Sequence, residues 1–434
     1  MVGMRDVARR AGTSVSTVSL VVNGTGYVSD EMRKRVQDAM DALGYIPNEL
    51  ARNFYRDRTN MVGVIVPTVR HPFFATFVAA LQRGFSARGM RVVLCSVADT
   101  GKDESEYIDM LRRHMMDGIV MAAHTRHPAD YWTSIDRPIV AFDRYLGEGV
   151  PSVRSDHEQG GRIVARELIA SGARHVALVG GPRAQFHDLS DDDLSDGNRN
   201  PSDVDSLDVA SAASPSAAPH PESTFPTVRY YLTLERELDA AGIAHEYVEA
   251  GGVDDFAGYV AAVRGLFDRR GRAVDGGDAG NVDGGDGGVA PVATDAAVPP
   301  VDAIVGNDVV AALAVQEAAR RGIRVPDDLQ IVAYDGTYLV DAAGVRLTAV
   351  AQDFGAIAER IVDRMIALIG GGGDGGNRGG GDGGNRGDDD AAVAGAGGGD
   401  GAGDAGAIVN DGDGAGERGV TLVPLVLRKA DSTR

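Results

Sequence analysis

Five polar residues stand at the ends of predicted strands, where they could bind a small ligand. Each ends or directly follows a short apolar run, and together they are Asp143, Arg144, Asn307, Asp308 and Asp335. Carboxyl and amide groups hydrogen-bond to hydroxyl groups, and a guanidinium group can bind two neighbouring oxygens. Asp143 and Asp335 could pair for acid–base catalysis, but the adjacent Arg144 suits hydroxyl binding better. Because ligands of parallel α/β sheets bind beyond the carboxyl ends of strands, these residues predict a binding cleft.

Other catalytic and metal-binding patterns have little support in the sequence. No GxSxG, P-loop, HExxH or GxGxxG motif follows a predicted strand. His124 and His127 are three residues apart, but they precede Pro128 in a predicted loop, so we expect no metal site there. The single cysteine, Cys95, lies in an apolar run and is expected to be a buried small hydrophobe. We therefore expect no enzyme activity, no metal and no cofactor.

The elements that would position these residues form a repeated strand–helix pattern from residue 61 onward. Strands are predicted at 61–67, 91–96, 118–123, 137–143, 175–180, 302–307 and 329–336, and helices at 73–88, 103–116, 159–171, 228–241 and 308–321. The strands are almost continuously apolar, which is typical of strands buried on both faces. The pattern predicts an α/β fold with doubly wound parallel sheets.

Three short helical patterns precede this α/β region. They cover 4–11, 15–22 and a stretch that begins after Ser29 and ends at Gly44, and Gly12 separates the first from the second. The second has small polar residues at its amino end and valines behind them, as in a helix that enters the major groove of DNA. A three-helix bundle without a ligand is the alternative that this pattern leaves open.

The net charge of −20 is concentrated in three stretches. Residues 188–226, 271–300 and 370–418 carry net charges of −8, −4 and −7, so the rest of the chain is almost neutral. Their Gly-, Asp- and Ser-rich composition cannot bury enough apolar surface to fold, which predicts acidic disordered insertions. Because the charge is confined there, it does not exclude nucleic acid as a partner.

Membrane insertion and secretion are not indicated. The chain has no run of 18 apolar residues, and its amino-terminal segment lacks the apolar core of a signal peptide. We expect a cytoplasmic protein that does not contact membranes.

The amino-terminal residues DVARRAGTSVSTVSLVVNGTGYVSDEMRKRVQDAMDALGYIPNELARN resemble the headpiece of the lactose-repressor (LacI/GalR) family of bacterial transcription regulators. The resemblance implies that residues 1–47 form a helix-turn-helix domain that binds double-stranded operator DNA. In this family the positions of Val15, Ser16 and Leu20 read base edges. The positions that would face phosphates or pack are Thr13, Ser14, Thr17 and Asn23. Leu20 can contact a thymine methyl group but cannot hydrogen-bond to guanine.

The segment 48–60 resembles the hinge helix of this family, which becomes ordered on operator DNA. The resemblance implies that Phe54 is the apolar wedge that enters the minor groove, and that Arg52 lies near phosphates. The alternative for Phe54 is that it covers the core. The helical part, residues 48–54, has only seven residues, and so short a helix is barely stable by itself in water. This fits a segment that becomes ordered on DNA.

The remainder resembles the periplasmic-binding-protein-like core of the same family, in stretches such as VGVIVPTVRHPFF, PIVAFDR, HVALVGGP and LQIVAYDG. That core binds small effectors between two lobes, most often a sugar and sometimes a nucleobase. The resemblance implies that the effector-binding residues are Phe73, Phe74, Asp143, Arg144, Arg229, Asn307 and Asp335. Asp156 is expected either to contact the effector or to cap the following helix.

The resemblance also implies two discontinuous lobes and a homodimer. The N-lobe would comprise 61–158 and 349–369, and the C-lobe 159–348 and 419–434, with all three insertions on or beside the C-lobe and away from DNA. The effector would change the spacing of the hinge helices and thereby alter operator affinity. The alternative is a constitutive DNA-binding regulator that has lost its response to ligand.

Overall fold

The computed structural model describes residues 2–46, 58–125, 127–187, 226–275, 299–371 and 419–434. The predicted hinge helix, with Arg52 and Phe54, lies outside these residues. So do most of the three predicted insertions.

The amino-terminal unit consists of the three predicted helices. They are α1 (Met4–Ala11), α2 (Val15–Asn23) and α3 (Asp30–Leu43). Gly12 ends α1 with a φ of +63°, which a residue with a side chain rarely adopts, and this sharp turn sets the angle between α1 and α2. The apolar sides of the helices meet in a small core that includes Val7, Val18 and Val36. The unit therefore folds around the faces that the sequence pattern predicts.

The N-lobe is built on a sheet of six parallel strands. Its strands are β1 (Met61–Val66), β2 (Arg91–Ser96), β3 (Gly118–Met121), β4 (Ile139–Phe142), β5 (Ser152–Ser155) and β11 (Val420–Val423). Their order across the sheet is β11-β5-β4-β3-β1-β2. The helices are α4 (Pro72–Ala87), α5 (Val97–Thr100), α6 (Glu104–Arg112), α7 (Ala129–Thr133) and α13 (Phe354–Gly371).

The C-lobe repeats this plan with a second six-stranded sheet. Its strands are β6 (His175–Gly180), β7 (Ala244–Glu249), β8 (Ala303–Asn307), β9 (Gln330–Asp335), β10 (Thr348–Ala351) and β12 (Val426–Arg428). Their order is β12-β10-β9-β8-β6-β7, and β12 alone runs antiparallel to its neighbour in the described residues. The helices are α8 (His157–Ala170), α9 (Pro226–Ala240), α10 (Phe256–Asp275), α11 (Asp308–Arg320) and α12 (Leu339–Ala342), with a 3₁₀ turn at Arg183–His187.

Apolar layers on both faces of each sheet hold the lobes together. In the N-lobe, one layer contains Phe77 and Phe85 of α4, and the opposite layer contains Trp132 of α7. In the C-lobe, Phe267 of α10 and Leu234 of α9 lie in the two corresponding layers. Each fully buried side chain of this kind contributes about 1.5–3 kcal/mol to folding. The doubly wound architecture that the sequence predicts is thus confirmed.

The lobe boundaries differ from the prediction at two strands. Residues 348–351 were assigned largely to the N-lobe, but β10 pairs with β9 in the C-lobe sheet. The apolar run at 420–428 was assigned as one C-lobe strand, but β11 pairs with β5 in the N-lobe sheet. Pro424 lies between β11 and β12, and proline interrupts a strand because it has no N–H to donate. The chain therefore crosses between the lobes near 156, 353 and 424.

The places where the three insertions leave the fold also correct the expectation that all lie on or beside the C-lobe. The segment 188–225 leaves and rejoins the C-lobe near the cleft, and 276–298 joins α10 to the amino-end side of β8. By contrast, 372–418 connects α13 to β11, both of which belong to the N-lobe. The carboxyl end of α13 lies beside the residues that precede β1, since Arg58 Nη2 donates to the Ile369 carbonyl at 3.0 Å. The insertion 372–418 therefore leaves the N-lobe close to Arg58, which follows the linker to the headpiece.

Within the ranges that the structure describes, no helix combines the length and the apolar character needed to cross a lipid bilayer.

Candidate DNA-binding face and interlobe cleft

The amino end of α2 presents a mixed polar and apolar surface to solvent. Ser14 caps the helix by accepting a hydrogen bond from the Thr17 N–H at 3.0 Å. The three predicted base-reading residues, Val15, Ser16 and Leu20, are exposed, with Val15 and Leu20 at 42% and 37%. Val15 and Leu20 expose apolar surface to water, and covering that surface with a partner is favourable. This face of α2 is therefore suited to contact with a partner.

The other predicted DNA-contact residues divide between exposed and packed positions. Ser14 is exposed, whereas Thr13 and Thr17 are half-buried. Asn23 is buried and donates from Nδ2 to Ser19 Oγ at 3.1 Å, which favours the packing role of the two that the resemblance left open. Tyr27, beyond the end of α2, is 94% exposed.

A cavity of about 340 Å³ lies between the lobes at the carboxyl ends of their strands. Six of the seven predicted effector-binding residues line it: Phe73, Phe74, Asp143, Arg144, Asn307 and Asp335. They come from four separate parts of the chain, and the strand ends bring them together. Asp156 does not line the cavity, and its Oδ1 caps α8 by accepting from the Gln159 N–H at 2.8 Å.

Arg229 is the predicted residue that the structure does not bring to the cavity. Helix α9 presents Thr227 and Tyr231 to the cleft. These residues are four apart and share one helical face, whereas Arg229 is two positions from each and therefore lies on the opposite side. The prediction placed an arginine at the start of this helix from the resemblance, and α9 provides no cationic side chain to the described cleft.

Two acidic residues of the cleft adopt backbone conformations that are unusual for residues with a side chain. Asp143 follows β4 with a φ of +48°, and Asp335 ends β9 with a φ of +114°. Such values are costly for residues with a side chain, and they occur mainly where a functional side chain must be held in one direction. Both turns occur where a central strand of each sheet reaches the cavity. The strained conformation thus directs one carboxyl group from each lobe to the cleft.

Burial dominates the electrostatics of the C-lobe acids. The pKa of Asp335 is raised well above its usual value, first by burial and then by the neighbouring Asp308. Gln352 stabilises Asp335 by donating from Nε2 to Oδ1 at 2.9 Å. Burial also raises the pKa of Asp308 to about 6, although its carboxyl group accepts hydrogen bonds from the N–H groups of Gly336 and Thr337. The acids therefore bind protons more tightly than exposed carboxyl groups.

Arg144 lines the cavity but its guanidinium group is engaged with the main chain. Its Nε donates to the Ala123 carbonyl at 3.0 Å, and its Nη1 donates to the Asp143 carbonyl at 2.7 Å. These bonds fix the side chain, which is buried. The guanidinium group was expected to bind two ligand oxygens, and two of its donors are instead committed to carbonyls.

Aromatic rings form much of the remaining wall. Phe73 packs against Phe142 and Phe77 of the N-lobe, so it supports the cleft as well as lining it. The residues that sequence reasoning missed include three tyrosines and three other polar side chains: Tyr231, Tyr259, Tyr334, His71, His157 and Gln352. Gln352 follows β10, so the rule of polar residues after strands could have found it. The tyrosines carried no such signal, because they lie within helices and a strand.

His157 joins the two lobes beneath the cavity. Its Nδ1 is hydrogen-bonded to the Tyr334 hydroxyl of the C-lobe, and its Nε2 lies 3.1 Å from Asp143 Oδ1 of the N-lobe. Nearby, the Ser155 hydroxyl donates to Gln352 Oε1 at 2.6 Å. Two of the three crossing segments are therefore tied to each other and to both cleft carboxyl groups.

Two other features outside the cleft were compared with it. A larger opening of about 690 Å³ lies at the amino end of the N-lobe sheet, beside Arg58, Arg137 and Leu368, and residues adjoining it in sequence are outside the described ranges. His127 lies near Asp103 and Glu104 with ligand atoms within 4.8 Å, but Asp103 is exposed and Thr125 already donates to Glu104 at 2.6 Å. Neither gathers polar groups from both lobes as the cleft does.

Comparison with known families accounts for most of the chain. The model of the bacterial regulatory proteins of the lacI family matches residues 3–48. A second model, periplasmic binding proteins and sugar binding domain of the LacI family, matches residues 59–188. A periplasmic binding protein-like domain model matches residues 165–378.

Three relatives match over more than four fifths of their length. The ribose operon repressor of Halalkalibacterium halodurans is 28% identical over 370 residues, which cover 84% of this chain and 91% of the relative. The sucrose operon repressor of Streptococcus mutans is 25% identical over 366 residues, which cover 84% and 92%. The ribose operon repressor of Bacillus subtilis is 29% identical over 338 residues, which cover 77% and 82%.

Solved structures share the whole architecture. The Lac repressor dimer bound to operator and the anti-inducer ONPF has a TM-score of 0.62 and 20% identity, covering all of this chain and 99% of that chain. The CelR–cellobiose complex has a TM-score of 0.51 and 20% identity, with each chain fully covered. At 20% identity, the similarity to these two structures shows that the chain has the same fold. From its headpiece, its two lobes and its full-length relatives, this chain belongs to the LacI family of bacterial regulatory proteins, as a ligand-responsive DNA-binding regulator.

Proposed function

We propose that this protein represses transcription by binding operator DNA as a homodimer, and that a sugar held between the lobes controls its affinity for that operator. The observation that carries the proposal is the cleft. One cavity brings carboxyl groups from both lobes together with phenylalanine and tyrosine rings. Carboxyl groups hydrogen-bond to sugar hydroxyls, and aromatic rings pack on the apolar faces of sugar rings.

The relatives support both the role and the ligand class. Those named above are repressors of ribose and sucrose operons, and the CelR structure contains cellobiose. A nucleobase is the alternative ligand that the family resemblance implies. The cleft favours a sugar because its acids offer acceptors to many hydroxyl groups, whereas a flat base needs few.

The route from ligand to DNA runs through the crossing segments in this proposal. A ligand that contacts both Asp143 and Asp335 fixes one arrangement of the lobes, and the crossing segments transmit that arrangement to the end of the N-lobe beside Arg58. The hinge segment 48–60, with Arg52 and Phe54, would then order on DNA in one arrangement only. A ligand shifts such an equilibrium only by its difference in affinity for the two states.

The dimer and the cellular location follow from operator binding. Two headpieces are needed to read two half-sites of a palindromic operator, and the related Lac repressor was solved as a dimer on its operator. Bacterial DNA lies in the cytoplasm, so a protein with this function acts there.

The test begins with DNA fragments selected from the source genome by the purified full chain. Operator affinity is then measured by fluorescence anisotropy with and without D-ribose, sucrose, cellobiose and hypoxanthine. We expect Leu20→Glu to abolish operator binding, because it places a carboxylate among phosphates. Gln37→Glu adds the same charge on the exposed outer side of α3 and should weaken binding much less.

Thermal unfolding with the same ligands separates binding from response. A ligand that binds the folded chain raises its melting temperature by mass action. We expect one sugar to do so, Asp335→Ala to abolish the shift, and the exposed Asp341→Ala to leave it intact. Operator binding with no response to any ligand would instead indicate the constitutive regulator, and a response to hypoxanthine alone would overturn the sugar assignment.

A further inference from the structure

His71 is a buried histidine of the cleft that none of the interactions above employs. It stands at the amino end of α4, is 3% exposed and lines the cavity. Its Nδ1 accepts a hydrogen bond from the Phe73 N–H at 3.3 Å and thereby caps the helix. Because Nδ1 accepts, the proton of the neutral ring resides on Nε2.

The Nε2 atom of His71 is buried and has no hydrogen-bond partner among the described residues. Its ring neighbours are Phe74, Phe256 and Tyr259, with centroids 6.0–6.4 Å away. The Tyr259 hydroxyl is itself hydrogen-bonded to Asn307. Burial lowers the pKa of His71 to about 4, so the ring is neutral near pH 7. A buried N–H without a partner is costly, and in a ligand cavity it is a donor reserved for the ligand.

The charges around the cavity limit what that ligand can be. Asp143, Asp308 and Asp335 cluster at the strand ends, and the guanidinium of Arg144 is engaged with two main-chain carbonyls. Near the rim, Arg70 is paired with Asp99 at 3.0 Å. Burial already disfavours negative charge in this cleft, as the raised pKa of Asp335 shows, so an anionic group entering it would lose its hydration without gaining an unpaired cation among the described residues.

We propose that the effector is an uncharged sugar rather than a sugar phosphate, and that His71 determines this specificity by donating from Nε2–H to a ligand oxygen. This inference rests on the proposed function, because it specifies the ligand of the same cleft. The N-lobe supplies a neutral donor from one side, and the carboxyl groups at the strand ends bind hydroxyls from the other. A ligand oxygen at Nε2 would satisfy a buried donor that has no hydrogen-bond partner among the described residues.

The experiment compares uncharged sugars with their own phosphate esters. D-ribose and ribose 5-phosphate, and sucrose and sucrose 6-phosphate, are titrated into the full chain by isothermal calorimetry. We expect one uncharged sugar to bind at least tenfold more tightly than its phosphate. Tighter binding of the phosphate would overturn the inference while leaving sugar control intact. Binding of none of the four would overturn the inference and the sugar assignment together.

Two substitutions at the same position separate the donor from the helix cap. His71→Asn keeps an acceptor for the Phe73 N–H and a side-chain N–H donor, whereas His71→Asp, measured at a pH where the new carboxyl group is ionised, keeps the acceptor alone. We expect His71→Asp to weaken sugar binding about tenfold or more, and His71→Asn to retain most of it. His245→Asn, a histidine outside the cavity, is the matched control and should bind as the parent does. Equal binding by both His71 variants would exclude the donor role.

Nitrogen NMR keeps the test independent of whether a variant folds. In the full chain labelled with ¹⁵N-histidine, His71 should be the neutral Nε2–H form at pH 7, and the bound sugar should shift that resonance. An Nδ1–H form, or no shift on binding, would contradict the proposal.

Discussion

The two lobes share one strand order but present opposite chemistry to the cleft between them. Each sheet has its first strand next to the edge strand that follows it in sequence, and each ends a central strand on an acid with positive φ. The N-lobe side adds a stack of phenylalanines, in which the Phe142 and Phe77 centroids are 4.4 Å apart. The C-lobe side adds a buried acid pair and tyrosines. A repeated fold thus yields one wall built mainly on phenylalanine rings, the N-lobe wall, and one built mainly on buried acids and tyrosines, the C-lobe wall.

The difference shows how a duplicated architecture can divide two tasks. The N-lobe wall is part of its lobe's core, so its shape is fixed by packing. The C-lobe wall carries the buried acids Asp308 and Asp335, held by Gln352 and by the turn at Gly336 and Thr337. We expect substitutions in the first wall to affect stability most, and substitutions in the second to affect ligand binding.

The largest effect is expected from Phe142→Ala in the N-lobe wall. Phe142 is almost fully buried, and removing its ring should lower the free energy of unfolding by about 3–5 kcal/mol. Tyr334→Phe in the C-lobe wall removes only the hydroxyl that meets His157, at a cost of about 1 kcal/mol. Urea unfolding measures both, and a larger loss for Tyr334→Phe would reverse the division proposed for the two walls.

The pH dependence of stability should have opposite signs in the two walls. The pKa of His71 is lowered to about 4, so the unfolded chain binds more protons there and stability rises between about pH 4 and 6.5. The pKa of Asp308 is raised to about 6, so the folded chain binds more protons and stability falls between about pH 4 and 6. In the parent the two contributions oppose each other.

Substituting His71 by Asn should expose this opposition. The unfolding free energy of the parent minus that of His71→Asn should rise by up to about 1.4 kcal/mol per pH unit between pH 4.5 and 6.5. Urea unfolding at three pH values measures the difference, with His245→Asn as the control. A difference that stays constant with pH would show that burial of His71 is not the cause.

The insertions extend the comparison beyond the cleft. Replacing 372–418 by a short Gly-Ser linker removes ten acidic and three basic residues that follow α13, whose Ile369 contacts Arg58. We expect operator affinity to rise about five- to tenfold at 50 mM salt and little at 300 mM, because salt screens the repulsion of phosphates. The same replacement of 276–298 in the C-lobe is the control and should change affinity little. Equal effects of both deletions would refute the dependence on position.

The smallest effect is expected at the rim, where the walls meet. The guanidinium of Arg70 in the N-lobe lies 5.5 Å from the ring centroid of Phe256 in the C-lobe. Arg70→Ala should weaken sugar binding two- to fivefold, since an exposed cation–π contact contributes about 0.5–1 kcal/mol. Arg88→Ala removes an N-lobe arginine that pairs with Asp363 instead and should have no effect on binding. Calorimetry with the sugar identified above distinguishes the two variants.

The parts of the molecule that sequence reasoning predicted well are those governed by local rules. Ser14 and Ser29 cap the amino ends of α2 and α3, and Gly24 and Gly44 cap their carboxyl ends, so each boundary is set by residues close in sequence. The cleft acids were found because strand ends meet in parallel sheets. Both predictions needed only neighbouring residues and a general rule of topology.

The failures involve contacts that the local sequence does not encode. The side of α9 on which Arg229 lies could not be predicted, because the 188–225 insertion precedes this helix and hides its alignment with the family. Arg144 turns to a carbonyl 21 residues away, and the isolation of His71 Nε2 depends on Phe256 and Tyr259 of the other lobe. The strand break at Pro424 sends two halves of one apolar run to different sheets. In each case a distant part of the chain decides the outcome.

The position of β11 has a consequence for synthesis on the ribosome. The N-lobe sheet begins at Met61, yet its last strand is Val420–Val423. The edge of β5 therefore has no partner strand until almost the whole chain has been translated. At about 5–20 residues per second, that interval is roughly 10 to 50 s. Every residue inserted between α13 and β11 lengthens it. The nascent chain therefore completes its DNA-binding headpiece long before it can complete the lobe that regulates it.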